Sequence, residues 1–294
     1  MQVKTGMIPF QKFQTAYRVV GDLTTGITPL LLLHGGPGST HNYFEAFDQL
    51  AAETGRPVVM YDQLGCGESS LPSDPSWYRA ENWLAELQTV RDYLGLDRMH
   101  LLGQSWGGML AIMYLCDQRP QGIQSLILAS TLSSAQLWAQ EQHRLISYLS
   151  PVDQAAIATA EVTGEFTGAA YVTANRHYMA QHAAGPVTAA SPAYLQRPKI
   201  SGSLAYQTAW GPNEYCPTGN LKAYDYTAAL AQVTVPTLVT SGTNDLCTPL
   251  VAKTMVDQLP NAEWALFAHS RHMAFIDEPV AYFDQLKHWL AAHD

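Results

Sequence analysis

Short apolar runs recur along the chain and alternate with longer stretches of mixed polarity. The runs lie at residues 30–33, 58–61, 99–103, 124–129, 235–240 and 264–267. Continuous apolar runs of this length are typical of strands buried on both faces of a parallel sheet. The stretches with helical character lie at residues 42–54, 78–94, 107–116 and 279–292. The alternation predicts an α/β fold, a mostly parallel sheet with crossover helices on both faces.

The pattern changes after about residue 131. Between residues 131 and 225 the chain is rich in Ala, Gln, Tyr and His and has few β-branched runs. This composition favours helices and irregular loops packed beside the sheet. The sheet pattern then resumes at residue 235. We therefore expect a core domain formed by residues 1–130 and 226–294, interrupted by a helical cap domain at residues 131–225 that covers the functional site.

One motif in the predicted sheet carries specific chemistry. Residues 103–108 (GQSWGG) match Gly-x-Ser-x-Gly and lie between a predicted strand and a predicted helix. That context is the one in which a serine nucleophile occupies a sharp, strained turn of an α/β-hydrolase. Small residues on either side let the turn close, and the helix N-terminus behind it favours negative charge. The motif predicts the α/β-hydrolase fold, with Ser105 as the nucleophile.

A serine hydroxyl is a weak nucleophile, so it needs a base, and the base needs an acid that orients it. In this fold the three residues follow the order Ser, Asp or Glu, then His along the chain. Asp245 lies just beyond the predicted strand at 235–240, at the edge where such sheets carry functional groups. Asp225 and Asp257 are rivals, but neither directly follows a strand. Asp245 is therefore the predicted acid.

Two histidines are candidates for the base. His269 and His272 both follow the predicted strand at 264–267, and we favour His272, which leads towards the last helix. His269 is then an ordinary loop histidine. The pair also has the spacing of metal ligands, but no third ligand is nearby in the sequence, so we expect no metal.

Acyl transfer also requires donors for the oxyanion. One donor should be the backbone N–H of Trp106, the residue after the nucleophile. The other should come from residues 34–38 (HGGPG), the loop after the predicted strand at 30–33. Consecutive glycines let this backbone approach a substrate and adopt positive φ. We assign Gly36 as the second donor, with Gly35 as the weaker alternative.

Composition and charge narrow the possible partners and location. The formal net charge is −9, which disfavours nucleic acid, and no basic run suggests an anionic membrane. The N-terminus has no signal-peptide pattern, and no apolar run reaches the roughly 20 residues that span a bilayer. The four cysteines are widely spaced and lack a C-x-x-C pair. We expect free thiols and a cytoplasmic location, while the oligomeric state stays open.

Four motifs, taken together, resemble one known family. They are, in chain order, HGGPG at 34–38, DQLGCGES at 62–69, GQSWGG at 103–108 and GPNEY at 211–215. In this combination the sequence resembles the prolyl aminopeptidases, also called proline iminopeptidases. The resemblance implies a helical cap, no cofactor, and release of an N-terminal proline or another small residue from short peptides. Related members hydrolyse amino-acid amides.

The resemblance also implies residues that bind substrate. The glutamate of the GPNE-type motif binds the free amine of the substrate, and this role maps onto Glu214, otherwise a solvated loop residue. Gly35 is expected to bring backbone close to the substrate. Aromatic side chains of the cap and of the nucleophile turn are expected to line an apolar acyl pocket, the alternative being ordinary packing. They are Trp106, Tyr206, Trp210 and Tyr215.

One position departs from the family pattern. Typical members carry a second amine-binding glutamate directly after the catalytic aspartate, whereas this chain has Leu246. A lost charged hydrogen bond weakens amine binding by about 1.5–3 kcal/mol, unless another cap carboxylate such as Glu161 or Glu165 replaces it. The alternatives are therefore an amino-acid amidase or carboxylesterase on the same scaffold. A catalytically silent binding protein of this fold is the non-enzyme alternative.

Overall fold

A sheet of eight strands forms the centre of the computed structural model, which describes residues 2–294. The strands are β1 Val3–Phe10, β2 Phe13–Val20, β3 Leu30–Leu33, β4 Val58–Tyr61, β5 Met99–Gln104, β6 Ile123–Ala129, β7 Thr237–Gly242 and β8 Ala262–Phe267. Their order across the sheet is β1-β2-β4-β3-β5-β6-β7-β8. Strands β3 to β8 pair in parallel, while β1 and β2 are antiparallel to their neighbours. All six predicted strands are present within two residues of their expected bounds.

The hairpin of β1 and β2 at one edge of the sheet was not predicted. Its strands pair in register from Val3 with Val20 to Phe10 with Phe13. In β1 only Ile8 and Phe10 are buried, so most of its residues face solvent. An edge strand needs no continuous apolar run, because its unpaired edge and one face of the sheet are exposed to solvent. The hydrophobic pattern that revealed the central strands is therefore absent from β1. Strand β2 lies inside the sheet and is mostly buried, but Gln14, Thr15 and Arg18 interrupt its apolar residues.

Helices cover both faces of the sheet. They are α1 Asp48–Thr54, α2 Ala80–Leu94, α3 Trp106–Met113, α4 Ala135–Ile146, α5 Pro151–Thr163, α6 Ala169–His182, α7 Ala193–Gln196, α8 Ser203–Ala209, α9 Pro249–Gln258, α10 Ala274–Asp277 and α11 Pro279–Ala292. Within β3, Leu31 and Leu33 join the core that includes α2, α3 and α9. Leu30 and Leu32 join the core that includes α1 and α11. This alternation explains why the strand is apolar throughout.

Helices α4 to α8 all lie between β6 and β7, within the segment predicted to be a cap. The chain leaves and re-enters the sheet region at one point, where Ser134 and Asp225 form an antiparallel bridge. Within the segment, between α7 and α8, the Gly202 N–H donates to the Gly38 carbonyl at 2.7 Å. The segment is therefore held against the loop that follows β3. Within residues 2–294, no helix is long and apolar enough to cross a membrane.

Candidate active site

The turn between β5 and α3 places Ser105 in a strained backbone conformation. Ser105 has φ 55° and ψ −124°, a region that non-glycine residues rarely adopt. The residues two before and two after it must be glycine, since a Cβ on Gly107 would lie 2.0 Å from the Leu33 carbonyl oxygen. A Cβ on Gly103 would lie 2.3 Å from the Gly107 carbonyl oxygen. The Thr131 hydroxyl donates to the Ser105 carbonyl at 2.6 Å and so holds the turn.

Asp245 and His272 form a short hydrogen bond beyond the ends of β7 and β8. The His272 Nδ1 to Asp245 Oδ1 distance is 2.7 Å. The Asp245 side chain is fully buried and also accepts from the backbone N–H groups of Gly242 at 3.2 Å and Cys247 at 2.9 Å. The carboxylate thus fixes the imidazole with Nδ1 as the donor. Nε2 is left as the acceptor, the form a general base requires.

Ser105 and His272 line the same cavity. The hydrogen bonds of residues 2–294 do not include one between the Ser105 hydroxyl and His272. Catalytic hydrogen bonds of substrate-free enzymes are often long and tighten when substrate binds. The geometry therefore joins all three predicted residues in one site, with the serine–histidine contact left for the substrate complex.

The rival residues lie elsewhere. His269 is exposed, and its backbone N–H donates to Glu278. Asp225 accepts from the Thr227 N–H, and Asp257 pairs with Lys253. Within residues 2–294, none of the three forms a hydrogen bond or ion pair with His272 or Ser105, which favours the assignment of His272 and Asp245.

Two backbone N–H groups beside Ser105 are free for an oxyanion. The Gly35 N–H donates to the Tyr43 hydroxyl at 2.7 Å and is therefore occupied. Within residues 2–294, the Gly36 and Trp106 N–H groups donate to no protein acceptor. Gly36 also has φ 120°, where an L side chain is strained. These contacts favour Gly36 over Gly35 as the partner of Trp106.

A chain of hydrogen bonds connects the three loops of the site. The Tyr43 hydroxyl, which accepts from Gly35, donates to Gln104 Oε1 at 2.8 Å. Gln104 Nε2 in turn donates to the His272 carbonyl at 3.2 Å. The oxyanion loop, the nucleophile turn and the histidine loop are thus held together by two side chains. No sequence signal pointed to Tyr43, because it lies outside the motifs.

Glu214 reaches the cavity from the cap segment. Its Oε1 accepts from the Tyr206 hydroxyl at 2.8 Å, and its carbonyl accepts from the Trp138 indole N–H at 2.9 Å. The turn that carries it is closed by Asn213 Oδ1, which accepts from the N–H groups of Tyr215 and Cys216. Glu214 is thus presented to the cavity in a fixed position rather than solvated on a loop.

The cavity has a volume of about 550 Å³. Its walls include the loop after β3, Ser105, His272, Tyr206, Pro212 and Glu214. Tyr206 therefore lines the cavity, as expected from the sequence.

Three other aromatic side chains expected in this pocket are packed elsewhere. Trp210 and Tyr215 are buried in the cap segment and do not line the cavity, and the Tyr215 hydroxyl donates to Asn175 Oδ1. The Trp106 side chain is also buried, donating to Gln63 Oε1 at 2.7 Å. A side chain missed by the sequence analysis, Trp138, lies edge-on to His272 with ring centroids 6.1 Å apart.

Charge around His272 predicts the pH dependence of the reaction. Desolvation alone lowers the pKa of His272, but the Asp245 charge and hydrogen bond, together with the Glu214 charge, raise it above 6.5. A general base must be neutral, so kcat/KM is expected to fall as the pH drops through this pKa. We expect the acid limb of the kcat/KM profile to lie above pH 6.5. The measurement uses an ester substrate without an amine, and an acid limb at or below that pH contradicts the prediction.

A buried cluster of potential metal ligands lies next to the site. Ligand atoms of His34, Asp62 and Cys66 lie within 4.8 Å of one another. These atoms already have partners. The ring nitrogens of His34 contact the Gly35 carbonyl and the Gln63 N–H, and the Cys66 thiol donates to the Gln63 carbonyl. The contacts indicate that the cluster holds the loops together and offers no open ligand set.

Comparisons with known proteins agree with this geometry. Residues 28–279 match the family described as the alpha/beta hydrolase fold. The crystal structure of VinJ superimposes with a TM-score of 0.91 at 32% identity, covering 99% of each chain. The fold and the site thus define an α/β-hydrolase, and the predicted fold class is confirmed.

Closer relatives narrow the class. A curated proline iminopeptidase of Levilactobacillus brevis is 69% identical over 294 residues, covering 100% of this chain and 98% of that protein. The proline iminopeptidase of Mycobacterium smegmatis superimposes with a TM-score of 0.86 at 30% identity, covering 99% of this chain and 98% of that one. The chain belongs to the proline iminopeptidase family, as its motifs predicted. It is therefore an enzyme, a serine hydrolase of the aminopeptidase class.

Proposed function

We propose that this hydrolase releases an N-terminal proline, or another small N-terminal residue, from short peptides through an acyl-enzyme on Ser105. The observation that carries the proposal is a single cavity lined by Ser105, His272 and Glu214. It offers a nucleophile, a base and a carboxylate for a free amine. A proline ring would lie against the apolar surface beside Tyr206. The name of the relatives, proline iminopeptidase, supports the same substrate.

The proposed reaction proceeds in two halves. His272 Nε2 takes the proton of the Ser105 hydroxyl as its oxygen attacks the scissile carbonyl carbon. The N–H groups of Gly36 and Trp106 bind the oxyanion of the tetrahedral intermediate. His272 then gives the proton to the leaving amine, which departs as the C–N bond breaks. Water, deprotonated by His272, attacks the acyl-enzyme and frees Ser105. Asp245 stabilises the imidazolium in both halves.

The amine-binding part of the proposal depends on Glu214 alone. Leu246 is buried, and its carbonyl accepts from Gln142 rather than facing substrate. The two cap carboxylates considered as replacements lie elsewhere. Glu161 contacts His143 and Cys216, and Glu165 is exposed and accepts from Thr167. Glu214 is accordingly the carboxylate in the cavity wall that is available for the amine.

Three further expectations from the sequence remain proposals. The division into a core at 1–130 and 226–294 and a cap at 131–225 is supported by the bridge between Ser134 and Asp225. The cytoplasmic location and the absence of nucleic-acid or membrane partners are kept as predictions.

The amidase alternative shares the same site and differs from the peptidase only in the leaving group.

A panel of substrates tests the proposal. Proline and alanine arylamides should be hydrolysed, and N-acetylproline arylamide should react at least about 10-fold more slowly because acetylation removes the cation that binds Glu214. Prolinamide and a proline dipeptide then separate amidase from peptidase. Measured kcat/KM values decide the outcome. No turnover of either arylamide, together with rapid hydrolysis of a simple acetate ester, would contradict the peptidase proposal.

A further inference from the structure

The cavity wall carries side chains of opposite charge, and these side chains differ in how far they lie from solvent. Three side chains that carry or can carry charge line it: Glu214, His272 and Lys199. Glu214 is held within the cap by Tyr206, and His272 is held by Asp245. Lys199 is exposed to solvent on the segment between α7 and α8. One anionic group inside and one cationic group near the solvent thus share a cavity of about 550 Å³.

Lys199 has no partner of its own among residues 2–294, since its ammonium forms no hydrogen bond or ion pair there. Other basic side chains around the site are engaged. Arg197 pairs with Glu45, and Arg271 pairs with Asp277. Partial burial lowers the pKa of Lys199, and nearby Cys66 and Asp62 oppose this shift without a hydrogen bond to the ammonium. The oxygens of Asp62 accept instead from His41 and from a backbone N–H. Lys199 is therefore a cation available to a ligand.

Backbone contacts fix the segment that carries Lys199. The next residue, Ile200, accepts from the Gly67 N–H at 2.8 Å, and the Gly202 N–H donates to the Gly38 carbonyl at 2.7 Å. Ser201 and Gly202 line the cavity together with Lys199. The segment is thus attached to the loop that carries Gly36, the proposed oxyanion donor. A lysine side chain has a flexible four-carbon stem, but here its backbone is held in place.

We infer that Lys199 binds the C-terminal carboxylate of the substrate, so that the preferred substrates are dipeptides and similarly short peptides with a free C-terminus. The inference rests on the proposed aminopeptidase function. A dipeptide zwitterion carries one ammonium and one carboxylate, which match Glu214 and Lys199. An ammonium next to a carboxylate forms a charge-assisted hydrogen bond. Amides and arylamides lack this carboxylate and gain nothing from Lys199.

The experiment compares the dipeptide Pro-Ala with Pro-Ala amide and proline p-nitroanilide in the wild type and in Lys199→Met. For Lys199→Met, kcat/KM on Pro-Ala should fall about 5- to 10-fold, mainly through KM, because an exposed charge pair is worth little more. Activity on the amide and the anilide should change less than 2-fold. Lys199→Arg should keep most of the preference for the free acid.

Arg197→Met is the matched control, a basic residue two positions away that does not line this cavity. It should leave the ratio of Pro-Ala to Pro-Ala amide unchanged. An unchanged ratio in Lys199→Met, or an equal loss on all three substrates, would overturn the inference. If the wild-type enzyme fails to hydrolyse the anilide and both peptides, the proposed function itself fails, which is a separate result.

Discussion

Replacement of Ser105 by alanine is expected to lower kcat for proline p-nitroanilide by about 10⁶-fold, the scale seen when a serine nucleophile is removed from a triad. The reason is that the acyl-enzyme can no longer form. Binding and the N–H groups of Gly36 and Trp106 stay in place, so KM should change little. The measurement is steady-state turnover of the arylamide by protein freed of wild-type contamination. A fluorophosphonate probe should also fail to label the variant.

Ser203→Ala is the matched control, because Ser203 lines the same cavity. It should keep both its activity and its labelling. Ser105→Ala must fold, and alanine at φ 55° carries backbone strain similar to that of serine. Circular dichroism and thermal unfolding check this. Residual turnover above about 1% of wild type in a folded Ser105→Ala variant would mean that another group is the nucleophile.

The central sheet could be predicted, and the candidate catalytic residues proposed, because their signals are local. Strands buried on both faces in the parallel part of the sheet need a continuous apolar run, as at residues 30–33. The nucleophile turn needs glycine two residues before and two residues after Ser105 for steric reasons. The order of Ser105, Asp245 and His272 along the chain then follows from the topology. These features are dictated over a few residues, so the sequence displays them directly.

The substrate pocket could be predicted only in part, because its walls come from distant segments. The sequence grouped Tyr206, Trp210 and Tyr215 as pocket residues, yet only Tyr206 faces the cavity. In a short helix or turn, a shift of one residue along the chain decides whether a side chain faces the pocket or the core. Such elements are too short to show a periodic pattern that predicts which of the two it faces. The contact between Trp138 and Glu214 joins residues 76 positions apart and leaves no local signal.

Glu214 connects the proposed amine-binding position to His272, the proposed base. Its carboxylate accepts from Tyr206, and its charge contributes to the raised pKa of His272. Burial raises the pKa of Glu214 itself, while His272 and the Tyr206 hydrogen bond lower it, so the net shift is upward. A cationic amine in the cavity favours the ionised carboxylate. The residue proposed to bind the substrate amine therefore also affects the proton affinity of His272, the proposed base.

Glu214→Gln should accordingly lower kcat/KM for proline esters by about 10- to 100-fold, because a charged hydrogen bond to the amine becomes a neutral one. The comparison uses the p-nitrophenyl esters of proline and of cyclopentanecarboxylic acid, which share a ring and a leaving group but differ in the amine. Turnover of the cyclopentane ester should change little. The acid limb of the pH profile for the cyclopentane ester should move to lower pH, since removal of the Glu214 charge lowers the pKa of His272.

Glu161→Gln serves as the control, because Glu161 is a cap carboxylate that contacts His143 and Cys216 and does not line the cavity. It should preserve both the ratio of the two esters and the acid limb. An equal loss of kcat/KM on both esters in Glu214→Gln would mean that Glu214 supports the structure of the cap and does not bind the amine. A changed ratio of kcat/KM for the two esters, with an unmoved acid limb, would support amine binding by Glu214 but contradict its effect on His272.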